Sequence, residues 1–192
     1  MLNIETIFEM TYNEYLSCAE KHLKGCIALM ASYQNGKPSD YHVWLELYYM
    51  SGYILEGITI YSAYKLYNWP KNDDIQWRYN KPFTQNTGID FYYNRKVSGN
   101  EIFPGRTPNS LSVQGHHFQD IIKNKLRKNP SFDNLPYIGN GYIDQDIEML
   151  IDRWLPDIRY YYVGQSSPLP FLNQDIISRL IKTCLSIYEN HI

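Results

Sequence analysis

A single carboxylate, Glu56, stands in an otherwise aromatic and aliphatic run, YYMSGYILEGITIYSAYKLY, at residues 48–67. A buried carboxylate is costly unless it is paired or hydrogen-bonded. Candidate partners are Arg159, His116, His117 and the hydroxyl groups of tyrosines. We therefore expect a buried polar network of Glu56, Arg159 and His117 that fixes the register of neighbouring helices. A functional polar pocket and simple solvent exposure are the alternatives.

Two adjacent histidines, His116 and His117, supply groups that titrate near neutral pH. Neighbouring positions on a helix diverge by about 100°, so the two imidazoles cannot share one face. Asp120 follows at helical spacing and offers a metal-site alternative, but a helix-start histidine beside an aspartate is the ordinary interpretation. We predict no metal and no catalytic residue; the catalytic alternative combines both histidines with Arg159 and Glu56.

Cations and aromatic rings are concentrated in two further segments, KNKLRK at residues 123–128 and FYYNRK at residues 91–96. Such cations can follow a phosphate backbone, and neighbouring rings can stack with bases. The alternative for 123–128 is a solvated helix end whose charge suits the helix dipole. The candidate nucleic-acid-binding residues are Lys123, Lys125, Arg127, Lys128, Tyr92, Tyr93 and Arg95.

The composition is that of a globular chain: of 192 residues, 44% are hydrophobic and 20% are charged. It predicts a single helical domain over residues 1–192. The formal net charge of -2 gives no global attraction to nucleic acid or to acidic membranes, so either kind of binding needs a local patch.

The cysteines indicate a reducing environment. Cys18, Cys26 and Cys184 include no CxxC pair and are odd in number. Cys18 and Cys26 are separated by about two helical turns, so both are expected to point inward, as reduced thiols of a cytoplasmic protein. The first ten residues, MLNIETIFEM, have no basic stretch before an apolar one, and no signal peptide is expected.

Hydrophobic periodicity predicts an all-α fold, an antiparallel bundle of four to five helices. Helices are expected over residues 11–33, 40–67, 115–127, 144–154 and 173–190. The second carries Glu46 and Glu56 within its apolar stretch, and charges near a bilayer centre cost roughly 2.5–3.5 kcal/mol each, so a buried helix is predicted and no membrane partner.

Two helices have a defined apolar face. The first should bury Tyr12, Tyr15, Leu16, Ala19, Leu23, Cys26, Ile27 and Met30. The last, capped by Asn173, should bury Ile176, Ile177, Leu180, Ile181, Cys184 and Ile187. A long, mostly irregular insertion, residues 68–113, lies between the second and third helices; within it only IDFYYNRKV, residues 89–97, is typical of a strand, as half of a short hairpin.

Four segments in this order, SGYILEGITIYSAYKL, GHHFQDIIKNKL, RWLPDIRYYYVGQ and a final amphipathic helix, resemble the HEPN family (higher eukaryotes and prokaryotes nucleotide-binding domains). The resemblance covers residues 10–67 and 114–190. The matching positions are Ser51, Gly52, Glu56, His117, Phe118, Ile121, Trp154, Pro156, Arg159 and Tyr160. It implies a helical bundle, usually dimeric, often tied to RNA cleavage, toxin–antitoxin systems or defence.

The chain departs from nucleolytic members of that family, which carry an arginine followed after four to six residues by a histidine. No arginine here has a histidine at that spacing. Phosphate-loop and dinucleotide-binding motifs are absent too, and no cofactor is expected. The prediction is a non-catalytic HEPN-like protein that binds RNA, a nucleotide or a protein partner, as a cytoplasmic homodimer in prokaryotic defence or toxin–antitoxin function. The alternatives are a ribonuclease with a rearranged site, and an interaction module that docks a protein through residues 68–113.

Overall fold

The computed structural model describes residues 11–33, 40–66, 68–72, 89–90, 111–112, 118–119, 144–160 and 172–190. Four helices make up most of this part: α1 (Asn13–Ser32), α2 (Asp40–Leu66), α3 (Gln145–Arg153) and α4 (Gln174–Glu189). A 3-10 helix, Pro156–Tyr160, follows α3. The all-α bundle predicted from the sequence is confirmed, with these helices close to their expected bounds.

α1 and α2 form an antiparallel pair. Residues in contact, in order along α1, are Ala19 with Gly57, His22 with Tyr53, Gly25 with Met50, and Tyr33 with Trp44. A Cβ atom at Gly57 would lie 2.7 Å from the carbonyl oxygen of Tyr15, so glycine permits the close approach of the two helices. The antiparallel order brings the middle of α1 against the segment that contains Glu56.

α2 is the central helix of the bundle. Every residue from Ile54 to Tyr64 is buried, as predicted for a helix with neighbours on several sides. The Tyr48 hydroxyl donates to the Leu150 carbonyl of α3 at 2.6 Å, and the Cys184 thiol of α4 lies 3.9 Å from the Ser51 carbonyl. No described helix has the combination of length and hydrophobicity needed to cross a membrane.

Side chains and backbone define the helix ends. Asp144 accepts from the Asp146 amide at 2.9 Å and begins α3, while Asn173 accepts from the Ile176 amide at 3.0 Å and begins α4, as predicted. α2 ends differently: Asn68 adopts a left-handed conformation, φ 56°. The amides of Asn68 and Trp69 then bond the carbonyls of Lys65 (3.2 Å) and Tyr64 (3.0 Å), which is a Schellman motif.

The predicted apolar face of α4 is confirmed in full, since all six of its residues are buried. The predicted face of α1 is confirmed in part. Ala19, Leu23 and Cys26 are buried, but Ile27 is 45% exposed and Cys18 is exposed. The inward orientation predicted for Cys18 was wrong because eight residues turn about 800°, which leaves the two thiols some 80° apart around the helix.

Two short strands lie in the insertion. β1 (Ile89–Asp90) falls in the predicted strand, but it pairs in parallel with β2 (Leu111–Ser112). A hairpin would pair its strands antiparallel, and the residues that would complete one, 91–110, lie outside the described residues, so the hairpin stays a prediction. The rest of residues 73–113 and most of the predicted third helix are outside the described residues; Phe118 and Gln119, which are described, are helical.

Candidate functional site

The candidate site depends on a gap in the surface of α2 at Gly52, which we call the notch. A Cβ atom at Gly52 would overlap the indole of Trp154, so only glycine leaves room for this ring. The buried indole donates through Nε1 to the Tyr49 carbonyl at 3.1 Å, and its centroid lies 5.5 Å from that of Phe118. Trp154 thereby anchors the start of the 3-10 helix to the face of α2 that carries Tyr49 and Tyr53.

A second contact supports the same junction. The Gln119 side-chain amide donates to the carbonyls of Ile151 (3.2 Å) and Trp154 (2.8 Å), which lie at the C-terminal end of α3. Carbonyls at a helix end run short of donors from the helix itself. The Gln119 amide adds to the bond that the Ile151 carbonyl accepts from the Trp154 amide at 3.4 Å. The direction in which the chain leaves α3 is therefore held from two sides.

The 3-10 helix presents Arg159 and Tyr160 at the surface. The Arg159 guanidinium carbon lies 4.6 Å from the centroid of the Tyr160 ring, a cation–π arrangement, and Tyr160 is 64% exposed. Attraction to Tyr160 and a hydrogen bond with the Tyr49 side chain raise the pKa of Arg159 above its ordinary value. The guanidinium is thus a positioned, fully charged group that faces solvent.

A pair of tyrosine hydroxyls connects this surface to the interior. The Tyr49 hydroxyl donates to the Tyr53 hydroxyl at 3.3 Å, and the two rings meet edge to face at 5.0 Å. Burial chiefly raises the pKa of Tyr53; Tyr49 and the negative charge of Glu56 raise it further, and Arg159 opposes them. Tyr53 therefore stays protonated, and the charges of Glu56 and Arg159 both act on it.

The structure separates the members of the predicted buried network. Glu56 is buried, as expected, with 8% of its surface exposed. Arg159 is exposed, so its predicted burial was wrong; the short 3-10 helix directs its side chain along the surface. The charges of both Glu56 and Arg159 act on the pKa of Tyr53. His117, the third predicted member, lies outside the described residues.

The sequence prediction missed His22. Its imidazole stacks on the Tyr53 ring, with centroids 5.7 Å apart and planes 25° from parallel. Burial, and then the charge of Lys21, lower the pKa of His22, so the ring is neutral at pH 7. The sequence did contain one signal for a role of His22: it is adjacent to Leu23, on the inward face of α1, and α1 had to pair with α2.

We call these residues together the Arg159 cluster. Its members are His22, Tyr49, Tyr53, Glu56, Arg159 and Tyr160. An exposed guanidinium can bind a phosphate or carboxylate, and an exposed ring beside it can stack with a planar group. The His22 imidazole adds a group that can exchange a proton, at a pKa that burial lowers below the ordinary value. The arrangement is suited to a ligand that is both anionic and aromatic.

Charges elsewhere in the described residues serve packing. Arg179 of α4 forms ion pairs with Asp144 and, at 3.2 Å, with Asp146, which join α4 to the start of α3. A third pair, with Asp175 at 3.1 Å, lies within α4. In the part of the chain that the structure describes, no three His, Cys, Asp or Glu residues are grouped so as to hold a metal ion.

Several predicted site residues are not described, and the predictions for them stay predictions. These are His116, His117, Lys123, Lys125, Arg127, Lys128, Tyr92, Tyr93 and Arg95. Of the predicted positions, the structure places Glu56 and Arg159 around one tyrosine pair. No family model, no curated protein and no solved structure matches this chain.

Proposed function

We propose that the protein is a HEPN-like helical binding protein that holds RNA or a nucleotide at the Arg159 cluster without cleaving it. The observation that carries the proposal is the exposed Arg159 guanidinium, whose carbon lies 4.6 Å from the centroid of the Tyr160 ring. A phosphate can pair with the cation, and a base can stack on the ring, which is the combination that nucleic-acid-binding surfaces use.

The packing of the segments that resemble the family supports the same proposal. Gly52 of the first segment receives Trp154 of the third, and Phe118 of the second segment contacts the same indole. The sequence order alone did not require these three to meet. The contact of these three residues from the family-like segments orients the 3-10 helix that bears Arg159.

Binding is tested by fluorescence anisotropy of a labelled oligouridylate across a salt series. Arg159→Gln should weaken binding about five- to tenfold and lower the slope of log affinity against log salt by about one phosphate contact. Arg153→Gln is the matched control, since Arg153 is an exposed arginine at the end of α3. Equal affinities of the two variants would contradict the proposal.

The same experiment tests the basic segment, residues 123–128, which lies outside the described residues. If the cations of residues 123–128 also contact phosphates, Lys125→Gln should lower the salt slope further in the Arg159→Gln background. Retention without cleavage is the expected result. If the protein retains no RNA, the hypothesis to test next is a protein partner that docks on residues 68–113.

The proposal includes a cytoplasmic homodimer in a prokaryotic defence or toxin–antitoxin setting, which rests on the resemblance. Light scattering at micromolar concentration should give twice the 22.7 kDa chain mass. A monomer at that concentration would refute the dimer and leave the binding site untouched.

A ribonuclease with a rearranged site is the second candidate, favoured by one observation. The neutral imidazole of His22 and the cation of Arg159 both lie against the Tyr49–Tyr53 pair, and cleavage of RNA needs a proton acceptor and a cation. Gel analysis of RNA and of its 2′-deoxy analogue tests it. Cleavage of RNA alone, lost in His22→Gln, would replace the binding proposal.

A further inference from the structure

We propose that the site formed by Arg159 and Tyr160 is selective for guanine, and that Asp157 is the residue that determines this specificity. The inference rests on the proposed function, because it names the base that the same site holds. Asp157 enters through its position on the 3-10 helix, Pro156–Tyr160, which also carries the cation and the ring.

Asp157 and Tyr160 share one side of the 3-10 helix. Such a helix has three residues per turn, so side chains three positions apart are eclipsed and separated by one turn, about 6 Å. Ile158 lies on another side, and its burial determines which sides of the helix face solvent. Asp157 and Tyr160 are both exposed, in agreement with that register. The carboxylate and the ring therefore stand side by side at the surface.

The backbone that carries these side chains is held in place from within the bundle. The Ile158 amide donates to the Leu155 carbonyl at 3.1 Å. Just before it, the buried Trp154 indole donates to the Tyr49 carbonyl at 3.1 Å. The positions of the cation, the ring and the carboxylate are thus set before a ligand arrives, which lowers the entropic cost of binding.

Only one face of the Tyr160 ring is open to a base. The Arg159 guanidinium carbon lies over the other face, 4.6 Å from the ring centroid. A planar base can therefore stack on the ring from one side, while the N–H groups at the edge of the guanidinium remain donors for a phosphate. The site accommodates a single nucleotide, whose base edge can reach Asp157.

The chemistry of a carboxylate selects among the bases. An ionised aspartate only accepts hydrogen bonds, and its two oxygens can accept two parallel N–H groups. Guanine presents two adjacent donors on its pairing edge, at N1 and N2. Adenine and cytosine place a ring-nitrogen acceptor beside their amino group, and uracil has one donor between two carbonyls. Guanine is the base that fits Asp157 best.

The oxygens of Asp157 are available for such a ligand. Arg179 forms ion pairs with three other carboxylates, those of Asp144, Asp146 and Asp175. Within the part of the chain that the structure describes, the side chain of Asp157 has no ion pair and no hydrogen bond. A guanine would therefore displace only water from this carboxylate.

The experiment compares three labelled oligouridylates by fluorescence anisotropy, in which the central nucleotide is guanosine, inosine or uridine. Inosine differs from guanosine only by lacking the N2 amino group. The wild type should bind the guanosine oligonucleotide about five- to tenfold more tightly than the uridine one, because two charge-assisted hydrogen bonds are added. The inosine oligonucleotide, which keeps one of these bonds, should lie between them.

Asp157→Asn tests the residue itself. An asparagine offers one acceptor and sets its NH2 group against the second guanine donor, so the preference for guanosine over uridine should fall below about twofold. Its affinity for the uridine oligonucleotide should not fall, which shows that Arg159 and Tyr160 remain in place. Glu148→Gln is the matched control, since it removes the charge of an exposed carboxylate on α3 and should keep the preference.

Two results would overturn the inference: equal affinities of the wild type for the guanosine and inosine oligonucleotides, or a guanosine preference that Asp157→Asn retains. Failure of the proposed function is a separate outcome. If Arg159→Gln weakens the binding of all three oligonucleotides but none is preferred, only the selectivity for guanine is refuted. If the wild type binds none of them, or Arg159→Gln binds all as tightly as the wild type, the proposed function is refuted as well.

Discussion

Gly52 determines how closely Trp154 approaches α2, because any side chain at this position would overlap the indole. We predict that Gly52→Ala lowers the free energy of unfolding by about 2 kcal/mol, since a rigid, buried ring cannot move aside without shifting α3. Urea denaturation followed by circular dichroism measures the change. The variant should also bind oligouridylate more weakly, because Trp154 orients the 3-10 helix.

Gly25 provides the matched control for this substitution. It too lies in a helix, but a Cβ atom there would meet only the Met50 sulfur, at 3.9 Å. Gly25→Ala should stabilise the protein by about 0.5–1 kcal/mol, as alanine does in an unobstructed helix. Equal effects of the two substitutions would mean that Trp154 does not occupy the notch.

His22 should make stability depend on pH. Because folding lowers its pKa below the ordinary value of 6.5, the unfolded chain binds more protons between the two pKa values. The contribution is therefore fully present above about pH 6.5 and is lost as the pH falls through the folded pKa. Thermal melts from about pH 7.5 to about pH 5 should show a smaller loss of Tm for His22→Gln than for the wild type.

The sequence predicted part of the cluster, and the rest depended on how helices pair. Glu56 stood out because it is a charge in an apolar run, and its burial is confirmed. Arg159 is exposed because of the 3-10 helix that carries it. This helix has only five residues, too few to show a hydrophobic period in the sequence. His22 was missed because the register of α1 against α2, which places it on Tyr53, is a tertiary property.

At the level of helices, Arg179 joins α4 to the start of α3 through Asp144 and Asp146, and it also pairs with Asp175 within α4. Arg179→Ala leaves three carboxylates close together without their cation. We predict a loss of about 1 kcal/mol in unfolding free energy at low salt, shrinking in high salt because the pairs are exposed. Lys182→Ala, which removes an exposed cation from the same helix, should cost less.

Helices with a regular stripe were predicted best. The six apolar residues of α4 and its Asn173 cap follow from spacing and cap chemistry alone, and all are confirmed. α1 was predicted less well: Cys18 was assigned to the face of Cys26, but eight residues turn about 800°, and only Cys26 is buried. The parallel pairing of β1 with β2 joins segments distant in sequence, which no local pattern predicts.

At the level of the whole molecule, the three cysteines report on folding. Cys18 is exposed, whereas Cys26 and Cys184 are buried, and burial raises the pKa of Cys26 to about 12. Because thiolates are the reactive species, a disulfide reagent should modify one thiol per chain in the folded protein and three after unfolding. Cys18→Ser should abolish the fast phase; rapid reaction of either buried thiol would contradict this packing.

The end of α2 has a consequence for how the protein can change in evolution. The carbonyls of Tyr64 and Lys65 are satisfied by the amides of Trp69 and Asn68, and the Trp69 ring packs against Tyr64. The longest helix therefore stops by means of residues that all precede position 73. Insertions or deletions after position 72 would therefore leave in place every contact by which α2 ends.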